Sequence, residues 1–274
     1  MKRFYLFDEN NEILLLNEGT SYSIPTEQFL PQDMDELADL LRDAHSFAPD
    51  EYVCRINNAR LRTLLPHRPE GEQLYAIGLR TSARFLSPAD YDRAGKASEL
   101  LYWSEHMQYC NVCGAPMQWH SPISRSCQKC GLEIWPQLNT AIIVLVHKGD
   151  KALLVKAKSF RRDFFGLVAG FVETGESLEQ CVAREVMEET SLQIGNIRYF
   201  GSQPWPYPLG LMVGFHADYV SGDIKFADGE LKDGRFFGRD ELPLNGDGTP
   251  AIPGPESMAR RLIDDWMREM KNEK

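Results

Sequence analysis

Residues 170–192 (GFVETGESLEQCVAREVMEETSL) place a glycine-containing turn before a short helix that ends in a cluster of acidic residues. At about 100° per residue, Glu185 and Glu189 project along the same line as Leu178, close beside Val182. These carboxylates therefore continue an apolar stripe that is expected to be buried. Carboxylates that are partly buried and close together repel each other unless a cation lies among them. The stretch predicts a divalent metal site on a helix packed against a core.

The start of this helix has a recognisable signal. Ser177 is a good N-cap, and Gln180 three residues later completes a capping-box pattern. The loop before it contains Gly170 and Gly175, which we expect to be needed for a tight backbone path.

Two pairs of cysteines form the second constraint. They are Cys110 and Cys113, then Cys127 and Cys130, each pair in CxxC spacing. In a chain without an export signal this spacing predicts a tetrahedral zinc ribbon, with a redox dithiol or disulfides as the alternatives. Arg125 and Lys129 are the only lysine or arginine residues in the ribbon. A structural role for the ribbon is therefore favoured over nucleic-acid binding. The remaining cysteines, Cys54 and Cys181, lie in apolar patterns typical of a core.

The whole chain has 274 residues and a net charge of −10. This charge argues against a general nucleic-acid coat but leaves a local basic pocket open. No apolar run approaches the roughly 20 residues that span a membrane. The acidic residues Asp8, Glu9 and Glu12 interrupt any signal region near the first residue. We therefore predict a cytoplasmic protein without membrane association.

The first part of the chain alternates short strand-like and helical patterns, and we find no catalytic constellation in it. His45 and His67 are isolated, so a ligand role is disfavoured for both. Ser87 is expected to cap a helix that runs to about Tyr109. The other expected elements are a hairpin of Phe4–Phe7 with Glu12–Leu16, a helix at Pro31–Ala44, and strands at Glu51–Ile56 and Gln73–Leu79.

After residue 138 the pattern changes. Ala141–Val146 and Ala152–Val155 predict an antiparallel strand pair, and Pro255–Glu273 predicts an amphipathic helix. Basic residues follow the strand pair: Lys156, Lys158, Arg161 and Arg162. They either neutralise phosphate charge or belong to a solvated loop. The predicted fold class is α+β with three domains: an N-terminal α+β domain (1–105), a four-cysteine zinc ribbon (106–136) and a catalytic domain (137–274).

The acidic helix and the turn before it resemble the Nudix box. Gly170, Glu176, Arg184, Glu185, Glu188 and Glu189 fit the pattern G-x5-E-x7-REU-x-EE, where U is apolar. The chain departs from the pattern at Ser191, where the family has glycine, and we expect this change at the helix exit to be tolerated. The resemblance implies a Nudix fold, a mixed sheet between helices, and a hydrolase of nucleoside diphosphates linked to another group.

Two further features resemble the NADH pyrophosphatase family: the segment SQPWPYP at 202–208, and the ribbon followed by Trp135, Pro136 and Gln137. Tyr207 stands where that family has phenylalanine, and Gly210 where serine is common. The resemblance covers about residues 106–274. It implies cleavage of NAD(H) to NMN(H) and AMP, removal of NAD caps from RNA 5′ ends, a homodimer, structural Zn²⁺ and catalytic Mg²⁺ or Mn²⁺.

The same resemblance implies roles for individual residues. Glu185 and Glu189 would be metal ligands, with Glu188 assisting or polarising the water. Arg184 is expected to fix the preceding loop by pairing with Glu176. Further ligand and substrate-binding positions are Glu230, then Phe171, Trp135, Gln203, Trp205 and Ala259.

Two other functions remain open at this point. One is a Nudix hydrolase of another dinucleotide, such as ADP-ribose or diadenosine polyphosphate. The other is a non-catalytic module that binds nucleotides or RNA as a regulator, which the complete set of glutamates disfavours.

Overall fold

A computed structural model describes residues 1–17, 19, 21–29, 44–57, 73–158, 164–226, 229–244 and 251–269. The chain separates into two units. The first consists of Met1–Gln137 with Trp205–Leu209, and the second of Leu138–Pro204 with Gly210–Lys274. The division into three domains stays a prediction; within the first unit, the cysteine segment has a hydrophobic cluster of its own.

The first unit is built on a six-stranded sheet of order β3-β2-β1-β5-β4, with β6 also paired to β2. Its strands are β1 (Arg3–Phe7), β2 (Glu12–Asn17), β3 (Tyr22–Ser23), β4 (His45–Ala48), β5 (Glu51–Arg55) and β6 (Gln73–Gly78). The predicted hairpin is confirmed, since β1 and β2 are antiparallel with Phe7 opposite Ile13. One short 3₁₀ turn, Glu27–Phe29, follows β3.

Two helices follow this sheet, α1 (Leu79–Ser82) and α2 (Pro88–His106). Ser87 caps α2 as predicted, because its hydroxyl accepts a hydrogen bond from the Asp90 N–H at 3.1 Å. Leu100 and Leu101 of α2 belong to the same buried cluster as Tyr5 and Phe7 of the sheet. The strand predicted to reach Leu79 ends at Gly78, and the helix predicted to reach Tyr109 ends at His106. The helix predicted at Pro31–Ala44 lies outside the described residues except for Ala44.

The cysteine segment forms a three-stranded antiparallel sheet of β7 (Met117–Ser121), β8 (Ser124–Cys127) and β9 (Glu133–Ile134). Gly114 and Gly131 have φ of 69° and 74°, a left-handed conformation that glycine adopts without steric cost. Each glycine directly follows the second cysteine of a CxxC pair, which allows the chain to turn back toward the sulfur atoms.

The second unit contains a mixed sheet of order β13-β14-β10-β11-β15, with β12 paired to β10. The strands are β10 (Asn139–Lys148), β11 (Lys151–Ala157), β12 (Val168–Phe171), β13 (Gln193–Pro204), β14 (Gly210–Ser221) and β15 (Leu231–Phe237). The predicted antiparallel pair of β10 and β11 is confirmed, whereas β10 and β14 run parallel.

Helices cover both faces of this sheet, namely α3 (Leu178–Thr190) and α4 (Met258–Glu269). Ile142, Val144 and Val146 of β10 share a buried cluster with Val182 and Val186 of α3. The alternate residues Ile143 and Leu145 share another with Leu262, Ile263 and Trp266 of α4. Because both faces are buried, β10 is a continuous apolar run rather than an alternating one. The predicted α+β fold with a mixed sheet between helices is confirmed.

The last helix begins later than the predicted Pro255. Ser257 is the N-terminal cap, since its hydroxyl accepts a hydrogen bond from the Arg260 N–H at 3.3 Å. The predicted apolar face is confirmed: Met258, Leu262, Ile263 and Trp266 are all buried. Within the described residues, no helix is both long and apolar enough to cross a membrane.

Candidate active site

The local sequence positions helix α3 through its first turn. The Ser177 hydroxyl accepts from the Gln180 N–H at 3.3 Å, and the Gln180 side chain accepts from the Ser177 N–H at 2.7 Å. The predicted capping box is therefore present. Gly175 has φ of 93°, as the tight turn before the cap requires.

Arg184 connects the turn before α3 to the acidic end of the helix. Its Nε and Nη2 atoms donate to the two carboxylate oxygens of Glu176 at 3.1 and 2.6 Å, which confirms the predicted pair. Its Nη1 donates to Glu185 at 2.8 Å and to Glu188 at 3.1 Å. Nη2 also donates to the backbone carbonyl of Phe171 at 3.0 Å. One guanidinium thus fixes β12, the turn and the helix together.

The charges in this network shift the acidity of two glutamates in opposite directions. Hydrogen bonds from Arg184, and then from the Glu173 N–H, lower the pKa of Glu176 to about 2. Burial raises the pKa of Glu185; Arg184 opposes this, and the negative charges of Glu188 and Glu230 add to it. A divalent cation near Glu185 would offset both the desolvation cost of the ionised carboxylate and its repulsion by the neighbouring glutamates.

Gly170 leaves room for the Glu185 side chain. A Cβ atom at position 170 would lie 1.9 Å from the Glu185 Cδ atom, so the carboxylate occupies the space where any other side chain begins. Gly170 lies in β12, where it pairs with Ile142 of β10. The role predicted from sequence, a tight loop path, therefore applies to Gly175, whereas Gly170 is needed for close approach.

Glu189 and Glu230 line a common cavity of about 340 Å³ in the second unit. Glu189 is only 5% exposed, in agreement with its predicted place on the buried stripe. Lys158 also lines the cavity, and the remaining lining residues are apolar: Val155, Ala157, Leu167, Ala169 and Leu231. The lining therefore combines two acidic residues and one basic residue with apolar side chains.

The residues present fit a divalent cation. Mg²⁺ and Mn²⁺ prefer carboxylate oxygens, and the cradle at Gly170 keeps one such group against the sheet. The four glutamate carboxylates do not lie as close together as the four cysteine sulfur atoms. Glu185 and Glu188 bind Arg184, whereas Glu189 and Glu230 face the cavity, and the Glu188 side chain is 54% exposed. The metal role of each glutamate stays a prediction.

The four cysteines of the ribbon converge. Their sulfur atoms all lie within 4.8 Å of one another, the one such ligand group among the described residues. The Cys110–Cys130 and Cys113–Cys127 sulfur separations are 3.6 and 3.4 Å. A tetrahedral ion with metal–sulfur bonds of about 2.3 Å requires sulfur separations of about 3.8 Å, whereas a disulfide requires about 2.05 Å. The geometry therefore fits a zinc site better than disulfides.

Backbone N–H groups favour the thiolate form of two cysteines by lowering the thiol pKa of Cys110 and of Cys127. The N–H groups of Cys130 and Lys129 donate to the Cys127 sulfur and lower the pKa of that thiol to about 6. The pKa of Cys113 moves the other way: the Ala115 N–H lowers it, but the nearby Cys127 sulfur and burial raise it more. Two thiols that share a proton behave in this way, and a bound cation takes both as thiolates.

The predicted substrate-binding residues are distributed over both units. Phe171, at the end of β12, is 65% exposed, whereas Ala259 of α4 is buried. The Gln203 side-chain amide donates to the Glu256 carbonyl at 2.7 Å. Trp135 and Trp205 belong to the first unit, and the Trp135 side chain is exposed. Their role in substrate binding stays a prediction.

Sequence reasoning missed how the segment Trp205–Leu209 is held. The Arg80 guanidinium lies 4.9 Å from the Trp205 ring and 4.4 Å from the Tyr207 ring. The Tyr207 hydroxyl also bonds to the Tyr91 hydroxyl, and Pro206 packs over Gly95. These residues are more than 100 positions apart, so no local pattern could reveal them. His45, isolated in sequence, stacks on the Trp119 ring.

Ser191 adopts the conformation that glycine would supply. It is the C-cap of α3 with φ of 60° and ψ of 21°, the left-handed region. The departure from the motif is therefore accommodated without a break in the helix.

The left-handed conformation of Ser191 predicts a stabilising substitution. This conformation costs a non-glycine residue about 1–2 kcal/mol. Glycine avoids this cost, but its greater conformational entropy in the unfolded chain cancels about half of the gain. Ser191→Gly should raise the free energy of unfolding by about 0.5–1 kcal/mol and the thermal midpoint by about 1–4 °C. Differential scanning calorimetry measures this shift. Ser191→Ala is the control, since alanine keeps the penalty; an equal gain in both variants would contradict the explanation.

Comparison with known proteins supports the fold class indicated by helix α3 and the mixed sheet of the second unit. Residues 136–254 match the NUDIX domain family. A solved Nudix hydrolase from Nitrosomonas europaea shares the fold, with a TM-score of 0.50 and 23% identity over 61% of this chain and 93% of that one. This likeness concerns the fold alone.

Curated relatives define the family more narrowly. "NAD-capped RNA hydrolase NudC" of Pseudomonas aeruginosa is 42% identical over 186 residues, 66% of this chain and 64% of that protein. The same-named protein of Pseudomonas entomophila is 35% identical over 71% of this chain and 74% of its own length. The chain therefore belongs to the Nudix family, among the relatives of the NAD-capped RNA hydrolase NudC. It spans about 64% of the length of the first of these relatives.

Proposed function

We propose that the protein is a metal-dependent pyrophosphohydrolase that splits NAD(H) into NMN(H) and AMP and removes NAD caps from RNA 5′ ends. The observation that carries the proposal is the cavity lined by Glu189 and Glu230, beside a Nudix box whose glutamates are all present and whose turn and helix are joined by Arg184. The names of the relatives supply the substrate class, which the glutamates alone do not define.

The chemistry of the reaction requires charge neutralisation at two phosphates and an activated water molecule. Bound Mg²⁺ or Mn²⁺ would supply both. The residues that would hold such ions are Glu185, Glu189 and Glu230, with Glu188 as a further ligand or as the group that polarises water. Arg184 donates hydrogen bonds to both Glu185 and Glu188 and so keeps these carboxylates in place. This arrangement fixes two of the four carboxylates before any ion binds.

The substrate rings would be held by aromatic residues. Phe171 presents an exposed ring at the end of β12, where a flat base can stack on it. Trp205 is stiffened by its flanking prolines and by Arg80, which reduces the entropy lost when a ring stacks on it. We propose that Trp135, Gln203 and Ala259 also bind the substrate. We further propose a cytoplasmic homodimer.

We also propose that the ribbon carries a structural Zn²⁺ on its four cysteines. Cys127→Ser should lower zinc affinity roughly 100-fold, since one of four thiolate ligands is lost, and should lower the thermal midpoint. Metal content measured by mass spectrometry after dialysis tests this. Cys54→Ala is the matched control, because it removes a buried cysteine of the same unit outside the site. Equal zinc content in wild type, Cys127→Ser and Cys54→Ala would contradict the assignment of the ribbon as a zinc site.

The substrate is tested by comparing kcat/KM with Mn²⁺ for NADH, NAD-capped RNA, ADP-ribose and diadenosine tetraphosphate. We expect NADH and NAD-capped RNA to be preferred by about tenfold or more. Preference for ADP-ribose or diadenosine tetraphosphate would assign the protein to another Nudix activity. No cleavage of any of them would favour a nucleotide-binding regulator.

A further inference from the structure

The basic residues from Lys156 to Arg162 had two possible roles, phosphate neutralisation or a solvated loop. Lys156 lies within β11, and Lys158 directly follows the strand. Val155 and Ala157 line the glutamate cavity, whereas the Nζ atom of Lys156 lies 5.1 Å from the Phe165 ring, in the cluster of α4 on the other face of the sheet. The pairing of β11 with β15 shifts in register between Lys156 and Ala157. The extra residue is in β15, because Lys156 lies opposite Asp233 and Ala157 lies opposite Leu231.

Lys158 is the basic residue that reaches the cavity. It lies on the cavity wall together with Glu189 and Glu230. Its backbone N–H donates to the Glu230 carbonyl at 2.8 Å, and its Nζ atom would lie 3.6 Å from a Cβ atom at Gly229. The backbone of Lys158 is therefore bonded to the segment that carries Glu230, and its Nζ atom lies close to the same segment. Arg161 and Arg162 lie outside the described residues.

We propose that Lys158 is a substrate-binding residue whose ammonium group binds a non-bridging oxygen of the substrate pyrophosphate at the mouth of this cavity. This inference rests on the proposed function. A cavity lined with carboxylates repels a polyphosphate, and every fixed positive charge at its edge reduces that repulsion. Lysine suits the task because its ammonium is a compact charge on a flexible stem, able to follow the phosphate as the bond breaks.

The position of Lys158 has a second consequence. A positive charge on the wall that holds Glu189 and Glu230 repels a divalent cation bound by the same carboxylates. Lys158 therefore weakens metal binding and strengthens substrate binding. A residue that only supports the fold would not change the two affinities in opposite directions.

The test uses the full-length protein and three variants: Lys158→Met, Lys158→Arg and Lys156→Met. Mn²⁺ binding without substrate is measured by electron paramagnetic resonance, and KM and kcat for NADH are measured with saturating Mn²⁺. Lys158→Met should bind Mn²⁺ about three- to tenfold more tightly, since the repulsion is lost but was partly screened by solvent. It should raise KM about tenfold with less than about a threefold change in kcat, the loss of one charged hydrogen bond.

Lys158→Arg should stay within about threefold of wild type in both measurements, because the charge is kept. Lys156→Met should match wild type, since its side chain lies on the other face. Unchanged KM in Lys158→Met, or equal effects of Lys156→Met, would overturn the phosphate-binding role. Equal Mn²⁺ affinity of Lys158→Met and wild type would overturn its placement in the cavity. Failure of wild type to cleave NADH would instead refute the proposed function, while Mn²⁺ binding would still test the placement of Lys158.

Discussion

Glu189→Gln is expected to lower kcat for NADH by about 10³-fold while the protein stays folded. Glu189 is buried on the cavity wall near the end of α3, at the point where the apolar stripe of the helix reaches the cavity. Glutamine has nearly the same shape but carries no charge, so a divalent ion would lose a strong ligand in a place that water reaches poorly. Steady-state kinetics with Mn²⁺ measures the loss, and circular dichroism checks the fold.

Glu179→Gln is the matched control for Glu189→Gln. Glu179 lies in the first turn of the same helix and is exposed, so its neutralisation should leave kcat within about twofold of wild type. An undiminished rate in Glu189→Gln would remove this carboxylate from the reaction. An equal loss in both variants would point to a general effect of helix charge.

Gly170→Ala is expected to lower kcat/KM by about 10- to 100-fold, the range for disturbing a group that supports a metal ligand. The added methyl group would occupy the position of the Glu185 carboxylate, and the flexible glutamate side chain would move away from the sheet. Since Glu185 also accepts a hydrogen bond from Arg184, this displacement should disturb the network that fixes Glu188. Mn²⁺ affinity should fall together with the rate.

The thermal midpoint distinguishes displacement of Glu185 from simple unfolding. We expect Gly170→Ala to shift it by only a few degrees, because the end of a side chain can yield where backbone atoms cannot. Gly78→Ala is the control, since a Cβ atom there meets no atom within 4 Å. Normal kinetics in Gly170→Ala would show that the close approach of Glu185 to β12 has no role in activity.

Local patterns in the sequence allowed several structural features of the two candidate sites to be predicted. The capping box, the pair of Arg184 with Glu176 and the clustered cysteines involve residues that are close along the chain or have characteristic spacing. Helical periodicity also predicted the burial of Glu189. In each case the determinant is local geometry or ligand chemistry, which a sequence displays directly.

Contacts between distant segments could not be predicted in this way. The apolar run of β10 indicated a strand, but its division between α3 on one face and α4 on the other depends on the order of the strands. The support of Trp205 by Arg80 and the separation of Lys156 from Lys158 likewise depend on tertiary structure. The role of Gly170 was misjudged for the same reason, since it is set by a side chain fifteen positions away.

We propose that the carboxylates of α3 and Glu230 form a metal-dependent site for cleaving a pyrophosphate bond. In the most direct measurement, the metal-stripped protein is incubated with NADH, Mn²⁺ is titrated into the mixture, and the products are separated by liquid chromatography. We expect no cleavage before Mn²⁺ is added, then NMNH and AMP in equal amounts at a rate that saturates with metal. Cleavage that is independent of added metal, or the absence of NMNH and AMP at saturating Mn²⁺, would contradict it.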